Sequence, residues 1–198
     1  MLPCSMTPSL PPTLPVHEWP LPYETRLDAR PAAQVDLVVI HCTELPDLKT
    51  AREYGERVHY DAGTGNSGHF YIDRDGTVHV FVSPLRTANH TRGYNPRSVG
   101  IELVNTGRYP HWFDSRHQAM TEAYTPAQVL ALEGLLLQLK AELPNLRFIA
   151  GHEDLDIAKV SATDDPSLQV WRKRDPGPTF PWESVLAASG LERLKPQP

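Results

Sequence analysis

The stretch LVVIHCTE, residues 37–44, decides how this chain folds. Four consecutive apolar residues, Leu37 to Ile40, leave no polar face, so the run reads as a strand covered on both sides. It predicts a central strand over residues 36–42 with His41 at its end. There the sheet fixes the backbone while the loop beyond leaves room for chemistry. Cys42, the next residue, points to the opposite face and is expected in the core.

Upstream, residues 1–34 are rich in proline and poor in periodic pattern, which predicts an extended arm that either wraps the domain or stays disordered. Downstream, Leu48 to His59 reads as a helix or irregular stretch, followed by the Gly-rich connection GTGNSG at 63–68. HFYID and TVHVFV flank Arg74-Asp75-Gly76 and read as a β-hairpin, with Asp-Gly supplying the turn. In SVGIELV, residues 98–104, Val99, Ile101 and Leu103 alternate with Gly100, Glu102 and Val104. Glu102 is thereby an acid inside a strand. Thr125-Pro126 opens a helix, with Thr125 as N-cap and Pro126 at its first position. Val129, Leu132, Leu136, Leu139 and Leu143 form its core-facing stripe before Pro144 stops it. Residues 146–150 then read as a short strand that delivers His152, and a last helix is expected over 182–191. The elements predict a single mixed α/β (α+β) domain over residues 35–192, with a central mixed sheet flanked by helices and a C-terminal tail at 193–198.

Composition narrows the function. A chain of 198 residues with a formal charge of −5 has no basic stripe for a phosphate backbone, so nucleic acid is excluded as a partner. No apolar run approaches the ~18 residues of a membrane span. The two cysteines, Cys4 and Cys42, lie in a Pro-rich tail and a buried strand, which argues against a disulfide scaffold. The start MLPCSMTPSLPPTLP carries neither Lys nor Arg nor an apolar h-region, which predicts a cytoplasmic protein, with a periplasmic or secreted location as the alternative.

Three distant segments carry the chemistry: LVVIHCTE with His41, AGHEDLD at 150–156 with His152, and KRDPGP at 173–178 with Asp175. Imidazole and carboxylate are the ligands of a catalytic zinc that keeps one position open for water. Taken singly, each has an ordinary reading: a histidine after an apolar run is a satisfied core residue, and Asp before Pro-Gly-Pro is a turn residue.

The segments VVIHCT, SGHFYIDRDGTVHVFV, NPRSVGIELVNTG, AGHEDL and RKRDPGPTFPW occur in this order over residues 36–183. In that order the chain resembles the type 2 N-acetylmuramoyl-L-alanine amidases, which include AmpD-like enzymes and share their fold with peptidoglycan recognition proteins. The resemblance implies Zn²⁺ held by His41, His152 and Asp175, Glu102 as the catalytic acid/base, and Lys173 as the stabiliser of the tetrahedral oxyanion. It places His90, Asn95 and Arg97 at the substrate groove, with Asn89 standing where relatives often have tryptophan, and His69 beside the groove in either a supporting or a direct role. The connection from Asp156 to Trp171 is longer than in compact relatives and reads as a lid or groove wall, or as a tolerated surface insertion. Trp171 is its candidate substrate platform.

The activity so implied is hydrolysis of the amide between N-acetylmuramic acid, or its 1,6-anhydro form, and L-alanine of peptidoglycan fragments. The expected setting is muropeptide recycling by a monomer acting on an anhydromuropeptide. Two alternatives stay open: a module that binds muropeptide without cutting it, and a lysin or effector acting on intact peptidoglycan.

Overall fold

The computed structural model describes residues 15–194. In chain order its elements are β1 (Val16–Glu18), β2 (Leu37–Cys42), α1 (Leu48–Gly55), β3 (Phe70–Ile72), β4 (Val78–Val80), β5 (Ser98–Leu103), α2 (Pro126–Glu142), β6 (Phe148–Gly151), α3 (His152–Leu155), β7 (Lys159–Ser161), β8 (Gln169–Trp171), α4 (Trp182–Ser189) and β9 (Glu192–Arg193). Seven strands form one sheet in the order β1-β4-β3-β5-β2-β6-β9. Within this sheet β3 and β4 pair antiparallel, as the Asp-Gly turn predicts, and β2 lies between parallel β5 and β6. All six residues of β2 are buried, the physical counterpart of its unbroken apolar run.

The pleat sorts the two faces. Val38, Ile40 and Cys42 join Val99, Ile101 and Leu103 under α2 and α4, in a core that includes Leu132, Leu136, Leu139 and Val185. Cys42 sits there as a buried free thiol. Leu37, Val39 and Ala150 occupy the other face, and His41 stands beyond them opposite Glu102. That second face is also covered by Ala51 of α1 and by Leu21, Tyr23 and Leu27 from the N-terminal segment.

α2 begins at its expected residue. The Thr125 side chain accepts from the Gln128 backbone N–H while the Gln128 side chain accepts from that of Thr125, a reciprocal cap of two otherwise orphaned donors. Its buried stripe is wider than the sequence suggests: Ala131 and Leu135 are also inside, whereas Val129 is only partly buried.

The described residues extend the sheet at both ends of the chain. Of the two readings of the N-terminal arm, residues 15–34 follow the one in which it wraps the domain: β1 pairs with β4, and Arg52 donates to the carbonyls of Trp19 and Pro20 at 2.5 and 2.8 Å. The fold recruits them because the sheet face bearing the site needs an apolar cover. Arg193 likewise belongs to the sheet through β9, which pairs with β6, so the domain continues past 192. The remainder of the predicted arm, 1–14, and of the tail, 195–198, lies outside the described residues. Among the described residues no helix is long and apolar enough to cross a membrane.

Candidate active site

Parallel pairing of β2 with β5 sets His41 directly opposite Glu102. The next strand over, β6, ends at Gly151, and His152 follows as the first residue of α3. Asp175 arrives from the far side, its backbone carbonyl accepting from the Glu153 N–H at 2.9 Å. The Nδ1 atoms of His41 and His152 lie 2.9 and 3.0 Å from Asp175 Oδ2. One ligand atom from each of the three falls within 4.8 Å of the others, and all three residues are buried.

The donor set fits a divalent cation. Burial opposes ionisation of Asp175, but the neighbouring His152 and His41 imidazoles overcome it and hold its carboxyl well below the usual range. Burial pushes the His152 pKa down, which favours the neutral, ligating imidazole. Asp175 Oδ1 and His152 Nε2 are buried without a hydrogen-bond partner among the described residues. Such orphaned polar atoms are costly unless something else in the site satisfies them.

A second layer orients His41. Its Nε2 lies 3.0 Å from His90 Nδ1 and 3.3 Å from Thr91 Oγ1, and His90 Nε2 lies 3.2 Å from Ser98 Oγ. Ser98 in turn donates to the Tyr94 carbonyl at 2.8 Å. Burial, and then the neighbouring imidazoles, push the His90 pKa well below its ordinary value, so His90 can accept from His41 Nε2–H and leave Nδ1 for a metal. Gly100 makes room for this ring: a Cβ there would lie 2.7 Å from it.

Glu102 stands 3.9 Å from His41 Nδ1 with its side chain 14 % exposed. Burial raises its pKa to about 7, with Asp175 adding to the effect and His41 opposing it. A carboxyl poised there can both take up and release a proton at neutral pH. Around these groups lies a cleft of about 760 Å³, lined on its walls by Tyr60, Arg92, Trp112, Phe113, Arg172 and Lys173.

The structure thus brings together His41, His152, Asp175, Glu102, Lys173 and His90 at one cleft, where Asn95 also appears. Asn95 uses its side-chain oxygen to accept from the N–H groups of His90 and Thr91 at 3.1 and 2.7 Å, which shapes the loop from beneath. The other three groove candidates do not line the cleft. His69 is fully buried; its Nδ1 accepts from the Gly100 N–H at 2.9 Å, and burial depresses its pKa to about 3. Arg97 turns outward to a two-pronged pair with Asp36 at 2.6 and 2.5 Å. Trp171 alternates outward from buried Val170, with Lys159 Nζ over its ring at 4.4 Å. The segment that carries it is folded as the antiparallel β7–β8 ribbon.

Sequence reading missed Thr91, Glu44 and Arg108. Nothing local marks them: Glu44 and Arg108 lie 64 positions apart, and only the fold joins them as a buried pair at 2.7 Å.

Fold and site together define an α+β hydrolase-type domain whose His-His-Asp cluster, at the ends of parallel strands, could hold a metal beside a poised carboxyl. The family model described as N-acetylmuramoyl-L-alanine amidase matches residues 31–178. The chain belongs to the type 2 N-acetylmuramoyl-L-alanine amidase family and is an enzyme of that activity on peptidoglycan. Among its relatives, the endolysin of Escherichia phage T7 is 30 % identical over 76 % of this chain and 94 % of its own length. The endolysin of Enterobacteria phage T3 is 28 % identical over the same shares. Among solved structures, the amidase LysC from Clostridium intestinale URNW superposes with a TM-score of 0.64 at 22 % identity, covering 90 % of this chain and 99 % of that one. An AmpD structure gives a TM-score of 0.62 at 24 % identity, with coverage of 87 % and 93 %. Both share the fold.

Proposed function

We propose that this chain is a zinc-dependent amidase that cleaves the bond between the lactyl carbonyl of N-acetylmuramic acid, or its 1,6-anhydro form, and L-alanine in peptidoglycan fragments. The convergence of His41, His152 and Asp175 beside Glu102 carries this reading. His41, His152 and Asp175 would hold the zinc, which when bound would supply a Lewis acid and acidify water at neutral pH. Glu102 accepts the proton of the attacking water as the new C–O bond forms, and returns it to the leaving alanine nitrogen as the tetrahedral species collapses and the C–N bond breaks. Lys173, on the cleft wall, offers a fixed positive charge to the developing oxyanion, a contribution of about 3 kcal/mol in comparable sites. His90 and Thr91 hold the His41 ring.

A structure of the amidase AmiD from E. coli contains anhydro-N-acetylmuramic acid linked to a peptide beginning with L-Ala, and its likeness to this fold supports a ligand of that class. The phage endolysins favour intact peptidoglycan as a second substrate reading. Zinc-loaded protein should release free peptide from a defined anhydromuropeptide, read by mass spectrometry, and a chelator should stop the release until zinc is restored. Binding without release would leave only a recognition module. Sacculi tested in the same assay rank the two substrates.

A further inference from the structure

One buried guanidinium ties the loops that follow the strands of His41 and Glu102 to the segment that carries Lys173. Glu44 lies three residues beyond His41 on the loop after β2, and Arg108 lies on the loop after β5, the strand of Glu102. Their side chains form a forked pair, Nε to Oε1 at 2.7 Å and Nη2 to Oε2 at 2.9 Å, with the Arg108 side chain only 1 % exposed. The rest of the fork reaches the segment before Lys173: Nη1 donates to the Trp171 carbonyl at 2.9 Å, and Nη2 approaches the Arg172 carbonyl at 3.4 Å.

The backbone is shaped around this contact. Glu44 takes the left-handed conformation at φ 49, rare for a residue with a Cβ, and Gly107 leaves space that a Cβ would fill 2.6 Å from Glu44 Cγ. The Glu44 carbonyl is itself occupied, accepting from Trp112 Nε1 at 3.1 Å. A buried ion pair of this kind is weak evidence for stability, because desolvation offsets much of the attraction. Its geometric effect is larger, since the planar fork fixes several acceptors at once.

Asp175 and Lys173 are anchored differently. Asp175 is flanked by its own ties: its carbonyl accepts from Glu153 N–H, and the next carbonyl, Pro176, accepts from the Tyr124 hydroxyl at 2.7 Å. Ahead of Lys173, the carbonyls of Trp171 and Arg172 are held by Arg108.

We infer that Arg108, braced by Glu44, is a positioning residue that holds the 171–173 segment and thereby sets Lys173 against the reacting carbonyl, independently of the metal ligands. The inference rests on the amidase reading above for the role of Lys173. A double-mutant cycle on full-length, zinc-loaded protein with a defined anhydromuropeptide tests it. Arg108→Lys keeps the charge but loses the fork; it should lower kcat about ten- to a hundredfold, as small misplacements do, while KM and chelator-competed zinc affinity stay within about twofold. In a Lys173→Ala background the same change should cost less than about twofold in kcat. Additive costs, or zinc affinity falling in step with kcat, would overturn the inference. Hydrogen exchange gives a readout free of activity: the 168–176 peptide should exchange faster in Arg108→Lys while 150–156 is unchanged, and equal rates in both would also overturn it. If Arg108→Lys does not fold, Glu44→Gln replaces it in the cycle and the exchange experiment, with coupling of the same sign expected and additivity again fatal. Wild-type protein that releases no peptide sinks the amidase reading instead, and a fully active Lys173→Ala sinks the role of Lys173, while the exchange experiment still judges the tie itself.

Discussion

The β2–β5 pair and the 156–175 connection deliver the two halves of the site by different means. His41 and Glu102 stand opposite each other in a buried parallel ladder, where backbone hydrogen bonds fix the register and a one-residue slip of either strand would turn its side chain to the wrong face. Lys173 and Asp175 follow a surface ribbon, β7–β8, and depend on ties from the Arg108 and Tyr124 side chains and the Glu153 backbone N–H. Repetition secures the first half; a few individual contacts secure the second. Perturbations of the ladder's packing should therefore act through stability, and perturbations of the ties on the second segment through chemistry.

The sharpest break is at the junction of the two halves. His152→Ala removes a ligand and leaves Asp175 with a single imidazole partner, so zinc content measured by atomic emission and peptide release should both be lost. Glu102→Gln, on the ladder, should lower kcat by about 10²- to 10⁴-fold while zinc stays bound, because it removes a proton acceptor and no ligand. An unchanged kcat would exclude Glu102 as the base.

His90→Ala should weaken zinc binding about 10- to 100-fold in a chelator competition, as loss of a ligand's orienting partner does. Zinc affinity equal to that of wild type would mean that Thr91 alone holds His41.

Glu102 also makes the ladder sensitive to pH in the metal-free protein. Its carboxyl titrates near 4.5 when exposed and at about 7 in the fold, so between these values the native state holds more protons than the unfolded one. Stability contributed by the protonated form is complete below 4.5 and is lost as pH rises through about 7. Glu102→Gln abolishes that loss, so the metal-free variant should melt above wild type at pH 8 and draw level near pH 4. The smallest effect belongs to the ladder's far face: Ile40→Val should cost about 1 kcal/mol of unfolding free energy with kcat unchanged.

The contrast also explains what was legible beforehand. The strand of His41, the Asp-Gly hairpin, the strand of Glu102 and the capped start of α2 each follow from short-range pattern, and each lies where that pattern places it. Matched motifs and chain position put Arg97 and Trp171 at the groove. Their side chains are instead committed elsewhere, to Asp36 in one case and to an outward position beside Lys159 in the other. His69 belongs to the floor under Gly100, and its burial shows in no spacing rule. The N-terminal segment reads as an arm because Pro-rich sequence carries no period, yet Leu21, Tyr23 and Leu27 are buried among other residues of the chain.

The sequence by itself determined the sheet's central strand, the hairpin, the main helix, the family and the residue types of the site. These are set by patterns that a chain carries locally, or by ordered motifs that can be matched along it. Only the tertiary structure decided which atoms meet: Nδ1 of two histidines at one carboxylate oxygen, the ring of His90 in the space left by Gly100, and the fork of Arg108 across three segments. Such contacts join residues far apart in sequence, and their distances are fixed by strand register and side-chain packing together, a property of the folded chain that no single segment contains.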